Sequence, residues 1–375
     1  MRKTKDKIDI YNEDILKNLK ENYPTKWEKL NYARKDKWLT KENYPTYNQL
    51  VRVAKMFNIP FGYLFLDKLP ERKTSIPNFR TLGGETYEIS EELYDTINQV
   101  KKQQEWIKDI LIEWGHTELP FAGKFDINSD KTLIVDEIKK ILGIKNNWAE
   151  EKTNWKEAFN FLIDKFEEAG IFVVVNGIVG NNTHRKLEIE EFRGFVLYDE
   201  IAPFVFVNNN DFLSAKIFTL IHELVHILIG KSASFDLRNL LSANDETEKF
   251  CDRCAAEFLV PEKEILYLKN IDYEALAKRF KVSQIVIARR LLDTGKITKD
   301  DFYDFYKKYL RFEKRDMRKT KGGNFYNTIN YRYSRKFLEL LRYAVNNKQI
   351  LYRDFYYILS LKGKTADEIL LRNTA

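Results

Sequence analysis

The stretch FTLIHELVHILIG, Phe218–Gly230, is an apolar run whose ionisable members are His222, Glu223 and His226. It is too short to span a bilayer, so the run belongs in a protein interior. There an unpaired ionisable group costs several kcal/mol. The chain must therefore supply partners for two imidazoles and a carboxylate at places where the pattern asks for leucine. On a helix, residues four apart share a face, so both imidazoles can reach one metal ion. The spacing is H-E-x-x-H, with the glutamate held beside the metal. Only 4 histidines occur in 375 residues, and two of them fall here.

Two imidazoles do not complete a catalytic zinc site, which takes three protein ligands and keeps one position open. Downstream, ETEKFCDRCAAEFLVP offers Glu248 and, four residues later, Asp252, again on one helical face. Glu248 is the candidate third ligand to Zn2+ beside His222 and His226. Asp252 is the candidate partner for the free N–H of a ligand imidazole, fixing its tautomer. Glu223 is the candidate general base, taking a proton from a zinc-activated water and delivering it to the leaving amine of a peptide bond. Glu246 is an alternative ligand with no acid four residues on. Cys251 and Cys254 also share a face and read as small residues packed against the metal-bearing helix. A Cys2His2 site would be closed and would leave Glu223 without a task. His184, in the polar segment GNNTHRK, is a candidate transition-state stabiliser, with Arg193 and Tyr198 as unranked alternatives. H-E-x-x-H followed by E-x-x-x-D is similar to the gluzincin metallopeptidase pattern.

The whole reads as α+β and mostly helical. A zincin-like core holds a small antiparallel sheet and the H-E-x-x-H helix, and helical, helix-turn-helix-like domains flank it. The strands are expected at IFVVVNG, EEFRGFVLYD and APFVFVNN. RGFVLYD is the expected edge strand, able to pair with an extended substrate. The expected boundaries are a helix-turn-helix-like domain over 1–70, a linker over 71–89 and a zincin-like domain over 90–268. A second helix-turn-helix-like subdomain follows over 269–310, then a basic connector over 311–323 and a helical region over 324–375.

Charge is unevenly spread. Residues 1–80 carry 18 Lys+Arg against 10 Asp+Glu, residues 301–375 carry 17 against 8, and the middle carries 28 against 38. Basic ends suit a phosphate backbone, or else hold the acidic middle. In PTYNQLVRVAK, Asn48 and Gln49 are candidate base readers, and Arg52 and Lys55 candidate phosphate contacts. The opening MRKTKDKIDI lacks the apolar run of a secretory signal. Two cysteines are no disulfide framework, so a reducing cytoplasm is the expected compartment and no membrane association is expected.

FTLIHELVHILIG, the preceding PFVFVNNND and EKFCDRCAAEFLVP together resemble the ImmA/IrrE family of intracellular metallopeptidases. The last segment is similar to the family pattern E-x-x-A-N-x-F-A-A-x-L-L-x-P, with Cys251 for Ala, Asp252 for Asn and Cys254 for Phe. LAKRFKVSQIVIARRLLDTGKI extends the similarity, and YPTYNQLVRVAKMFNIPFGYLF with IPNFR resembles an XRE-type helix-turn-helix half. The resemblance implies a zinc endopeptidase that cleaves a helix-turn-helix repressor, commonly encoded nearby, to control mobile-element, phage or stress genes. The alternative is a DNA-binding or antitoxin-like regulator with a structural or inactive metal site.

Overall fold

The computed structural model describes residues 7–57, 59–70, 89–231, 233–235, 246–316, 325–361 and 363–371. Residues 71–88 of the expected linker, IPNFR included, and residues 317–323 of the expected connector lie outside the described residues. The chain divides into two compact units, Met1–Thr74 and Ser75–Ala375.

In the first unit, Asn12 caps α1 (Glu13–Asn22) by accepting from the Asp14 N–H, and the helix buries Ile15, Leu16 and Leu19 on one stripe. A proline opens α2 (Pro24–Glu28), where its missing N–H is harmless. The helix α3 (Tyr47–Met56) begins with a capping box between Thr46 and Gln49. Short 3-10 turns lie at Lys35–Trp38 and Phe61–Phe65. Trp27, Trp38, Leu50, Val53 and Phe57 form the centre of the core. Among the described residues, α2 and one 3-10 turn are the only helical segments between α1 and α3.

The second unit is α+β and mostly helical, as the patterning implies. It opens with α4 (Glu91–Glu113), α5 (Lys131–Leu142) and α6 (Trp155–Glu168). Then come β1 (Phe172–Asn176), β2 (Gly194–Leu197), β3 (Phe204–Asn208), α7 (Leu213–Leu228), β4 (Ala233–Phe235) and α8 (Glu246–Leu259). The remainder is helical: α9 (Glu262–Leu266), α10 (Tyr273–Phe280), α11 (Gln284–Asp293), α12 (Lys299–Asp316), α13 (Phe325–Tyr333), α14 (Arg335–Asn346), α15 (Tyr352–Leu359) and α16 (Gly363–Leu371).

The sheet order is β1-β3-β2-β4. It corrects the expectation of a wholly antiparallel sheet, because β1 and β3 pair in parallel while β2 is antiparallel to both β3 and β4. The polar segment between β1 and β2 carries β2 one place beyond β1, and the β2–β3 turn then returns β3 into the gap. The same order corrects the edge: RGFVLYD forms β2, an interior strand, and β4 lies outside it.

The strands are buried on both sides, yet they alternate. Phe172, Phe195, Phe204 and Phe206 face one core, which α4 and α13 to α16 cover. Val173, Val175, Val196, Val205 and Val207 face the other, shared with α5 to α8, α10 and α11. The phenylalanines stack in cross-strand pairs, Phe172 on Phe204 at 4.7 Å and Phe195 on Phe206 at 4.9 Å. Each such buried side chain contributes about 1.5–3 kcal/mol. Glu167 of α6 anchors the start of α14 by accepting from the Ser334 hydroxyl at 2.6 Å and the Lys336 N–H at 3.3 Å. Between α10 and α11, left-handed Lys281 turns the chain and Ser283 caps the next helix. Ile285 and Ile287 of α11 are buried rather than presented to a groove.

The valine face receives α7, and one small residue sets its approach. A Cβ on Gly194 would lie 2.4 Å from Thr219 Cγ2 and 2.8 Å from the Phe206 carbonyl oxygen. Glycine at 194 thus lets the H-E-x-x-H helix sit directly on β2. Gly194→Ala should lower stability by about 1–3 kcal/mol, read as a lower urea midpoint. Gly62→Ala, where a Cβ meets nothing within 4 Å, should change it little. Equal effects of the two would refute this account of the packing.

Candidate metal centre

Burial along α7 is continuous from Lys216 to Leu228, so the helix is enclosed on every side. Its far end is held from outside: the Gly123 N–H donates to the Ile227 carbonyl at 2.9 Å and the Phe125 N–H to that of Leu228 at 2.9 Å. His222, Glu223 and His226 are fully buried. The helix α8 lies against α7 and presents Glu248 and Asp252, four residues apart, to the two imidazoles.

The contacts are short and mutual. His222 Nδ1 lies 3.0 Å from Asp252 Oδ1, and His222 Nε2 lies 3.0 Å from Glu248 Oε2. His226 Nε2 lies 3.1 Å from His222 Nε2 and 3.3 Å from Glu248 Oε1. The two imidazoles meet different oxygens of Glu248, Oε2 for His222 and Oε1 for His226, so the three side chains close a ring of short contacts. A tetrahedral zinc ion spaces its nitrogen and oxygen ligands by about 3.3 Å, so these separations suit three ligands of one ion. With Asp252 engaging Nδ1, the Nε2 lone pair of His222 faces the other two donors. Neither oxygen of Glu223 has a hydrogen-bond partner among the described residues, and nor does His226 Nδ1. Two imidazoles and a carboxylate, with orphaned buried polar atoms around them, fit a divalent transition metal, and the N2O donor set suits zinc.

Electrostatics of the metal-free group follow from the same geometry. Burial opposes charge on His222, but Asp252 and Glu248 outweigh it and hold the imidazole up at about 10. Burial pushes His226 below its ordinary value, with Glu248 only partly offsetting it. Glu248 is driven up by burial yet ends well below the usual carboxylate range, because both imidazoles face it. Burial lifts Glu223 well above that range; His222 opposes the shift and Glu248 adds to it.

Cys251 also belongs to this neighbourhood. Its sulfur and one nitrogen of each histidine all lie within 4.8 Å of one another, and all three residues are buried. Cys254 does not join them: the charges acting on it are those of Arg253, Lys131, Glu257 and Asp130. The Cys2His2 arrangement is therefore not assembled, while a mixed group containing Cys251 is. The signal for it was its place three residues after Glu248. Glu246 is exposed in the first turn of α8, away from the donors.

The remaining candidates lie elsewhere. His184 is exposed and lines a cavity of about 500 Å³ with Ser90, Glu92, Arg185, Glu188 and Glu191, none of them a donor. Arg193 is committed to Asp211 through two hydrogen bonds of 3.0 and 2.8 Å. Beside that pair, burial pushes Lys216 down to about 8, with Asp211 opposing the shift. This buried charge cluster at the start of α7 has no motif in the sequence. The Tyr198 hydroxyl is 3.4 Å from Glu200 and lies against Gly123 and Gly230, at the end of α7. In the first unit Asn48, Arg52 and Lys55 are exposed, but the Gln49 side chain accepts from the Thr46 N–H at 2.7 Å and serves as a cap.

Residues 166–292 match the family model described as Peptidase_M78, IrrE N-terminal-like domain. The match runs from the end of α6 into α11 and takes in His222, Glu223, His226, Glu248 and Asp252. No curated protein matches the chain.

The electrostatics set a sign for metal loading. With its imidazole held up at about 10, His222 carries a proton at pH 7 in the metal-free state, and a metal needs that lone pair. Zinc binding at pH 7 should therefore release at least about one proton per ion, and affinity should fall as pH falls. Titration calorimetry in buffers of different ionisation enthalpy reads this directly. Tight binding with no proton release would contradict the pairing of His222 with Asp252 and Glu248.

Proposed function

Taking residues 166–292 as a Peptidase_M78 domain of the ImmA/IrrE family, we propose that the protein is a zinc-dependent endopeptidase. Its substrate is a regulatory protein, a helix-turn-helix repressor. The observation that carries this reading is the ring of short contacts among His222, His226 and Glu248 with the partnerless carboxyl of Glu223 beside it.

In this reading, a bound zinc ion supplies Lewis acidity for the scissile carbonyl and lowers the pKa of a water molecule. His222, His226 and Glu248 hold the ion. Asp252 orients the His222 ring and keeps Nε2 directed at the metal. Glu223, buried and without a hydrogen-bond partner, accepts the proton of the attacking water at its carboxylate and returns it to the departing amine nitrogen. Burial raises its pKa well above the usual carboxylate range, which strengthens it as a proton acceptor. The outer strand β4, next to β2, is the place for an extended substrate to pair. The reaction belongs in the cytoplasm, where buried free thiols such as Cys251 and Cys254 persist. No helix among the described residues is long and apolar enough to cross a membrane.

The exposure of Asn48, Arg52 and Lys55 on α3 supports a second reading for the first unit, in which it holds DNA through phosphate contacts.

Glu223→Gln keeps the shape of the side chain and removes its base. It should bind zinc as the wild type does and cleave the repressor encoded nearby at least about 100-fold more slowly, followed by mass spectrometry of the products. Cleavage near the wild-type rate would sink the mechanism. For the first unit, Arg52→Glu with Lys55→Glu should abolish a salt-sensitive gel shift with operator DNA. An unchanged shift would remove α3 from any DNA contact.

A further inference from the structure

One donor in the centre has no task in the hydrolytic scheme. The Cys251 thiol is buried, forms no disulfide, and lies with one nitrogen of His222 and one of His226 inside a mutual 4.8 Å. It follows Glu248 by three residues, so a single face of α8 carries both toward the imidazoles. A sulfur that only filled space would need neither imidazole nitrogen nearby. Around it, both Glu223 oxygens and His226 Nδ1 are buried without a hydrogen-bond partner among the described residues. The Glu223 oxygens are an independent mark of a ligand at the same place.

We propose that Cys251 is a fourth protein donor to the metal, so that the resting centre is a closed His222–His226–Glu248–Cys251 set. The inference rests on the metal-binding part of the proposed function. A tetrahedral site spaces sulfur and nitrogen ligands by about 3.6 Å, little more than 1 Å inside the 4.8 Å that bounds these atoms now. Four protein donors leave no open position, which is the mark of a structural rather than a catalytic site. Hydrolysis then requires the sulfur to withdraw. The exchange is redox-neutral: the thiolate leaves with its electron pair, takes up a proton from solvent, and one water molecule enters in its place. The protease is thereby restrained by its own side chain until the sulfur turns away. A thiolate donor also biases the centre toward zinc, cobalt and cadmium over magnesium and manganese.

The test uses the full-length protein loaded with Co2+. Wild type should bind about one cobalt per chain and show a thiolate-to-cobalt charge-transfer band in the near ultraviolet. Cys251→Ser should still bind cobalt through the remaining donors, at least about tenfold more weakly, and lose the band. Cys254→Ser should keep it. X-ray absorption of the zinc-loaded wild type needs no variant and guards against a misfolded one. It should contain a sulfur shell at about 2.3 Å beside nitrogen and oxygen at about 2.0–2.1 Å. One cobalt per chain without the band, or a zinc spectrum without sulfur, overturns the inference and leaves the His222–His226–Glu248 centre standing. A band that survives in Cys251→Ser overturns it as well. A wild-type chain that binds neither cobalt nor zinc overturns both this inference and the proposed function.

Discussion

Four ionisable side chains from two helices share a volume with little access to water, and a fifth, the partly exposed Asp252, reaches in from its rim. His222, Glu223 and His226 enter it from α7, and Glu248 and Asp252 from α8. Removing one partner from such a group leaves a buried charge uncompensated, at a cost of about 3–5 kcal/mol. Each helix is therefore the solvent of the other. The two cannot slide past one another by a turn without stranding both imidazoles, so this polar contact sets the register of the two helices.

The rest of the second unit keeps that register. The valine face of the sheet supports α7 from below, with Gly194 allowing its close approach. At the opposite end of α8, Arg290 is buried and donates to the Val260 carbonyl at 2.9 Å and to the Glu257 carboxylate. Lys131 of α5 pairs with Glu257 at 3.3 Å and with Glu262 at 2.9 Å. The helix that carries Glu248 and Asp252 is thus pinned to α5 and α11 beyond the centre. Its two acids project from a rod with a fixed far end, which is how a site is held to a fraction of an ångström.

Some of this was legible before any coordinates. H-E-x-x-H and E-x-x-x-D each place their residues on one helical face, and α7 and α8 carry them so. The apolar strand runs were visible as well, and with them the α+β class. The order of the strands was not, because a strand buried on both faces carries no mark of its neighbours. β4, three residues long, has no pattern of its own. Side chains with two possible uses were also ambiguous. Gln49 reads equally well as a base reader or an N-terminal cap, and only the fold assigns it to the cap. Arg193 has the chemistry of a transition-state stabiliser, yet Asp211 occupies it. Local periodicity decides which face a residue takes; what meets that face depends on chain segments far away in sequence.

The two-sided sheet has a consequence in time. Apart from α4, its phenylalanine side is covered by helices that come late in the chain, with Phe337 of α14 packed edge-on against Phe172 and Phe204. β3 ends at Asn208 and α14 starts at Arg335. At about 5–20 residues per second, a ribosome takes on the order of ten seconds to make the stretch between them. In the later part of that interval, once the helices of the metal centre have been made, a nascent chain carries a stacked aromatic surface that only α4 can cover. Synthesis thus passes through a stage in which the chemistry is already encoded in exposed chain while the sheet beneath it is still adhesive. A chaperone or a slow codon run between Asn208 and Arg335 would act on that stage.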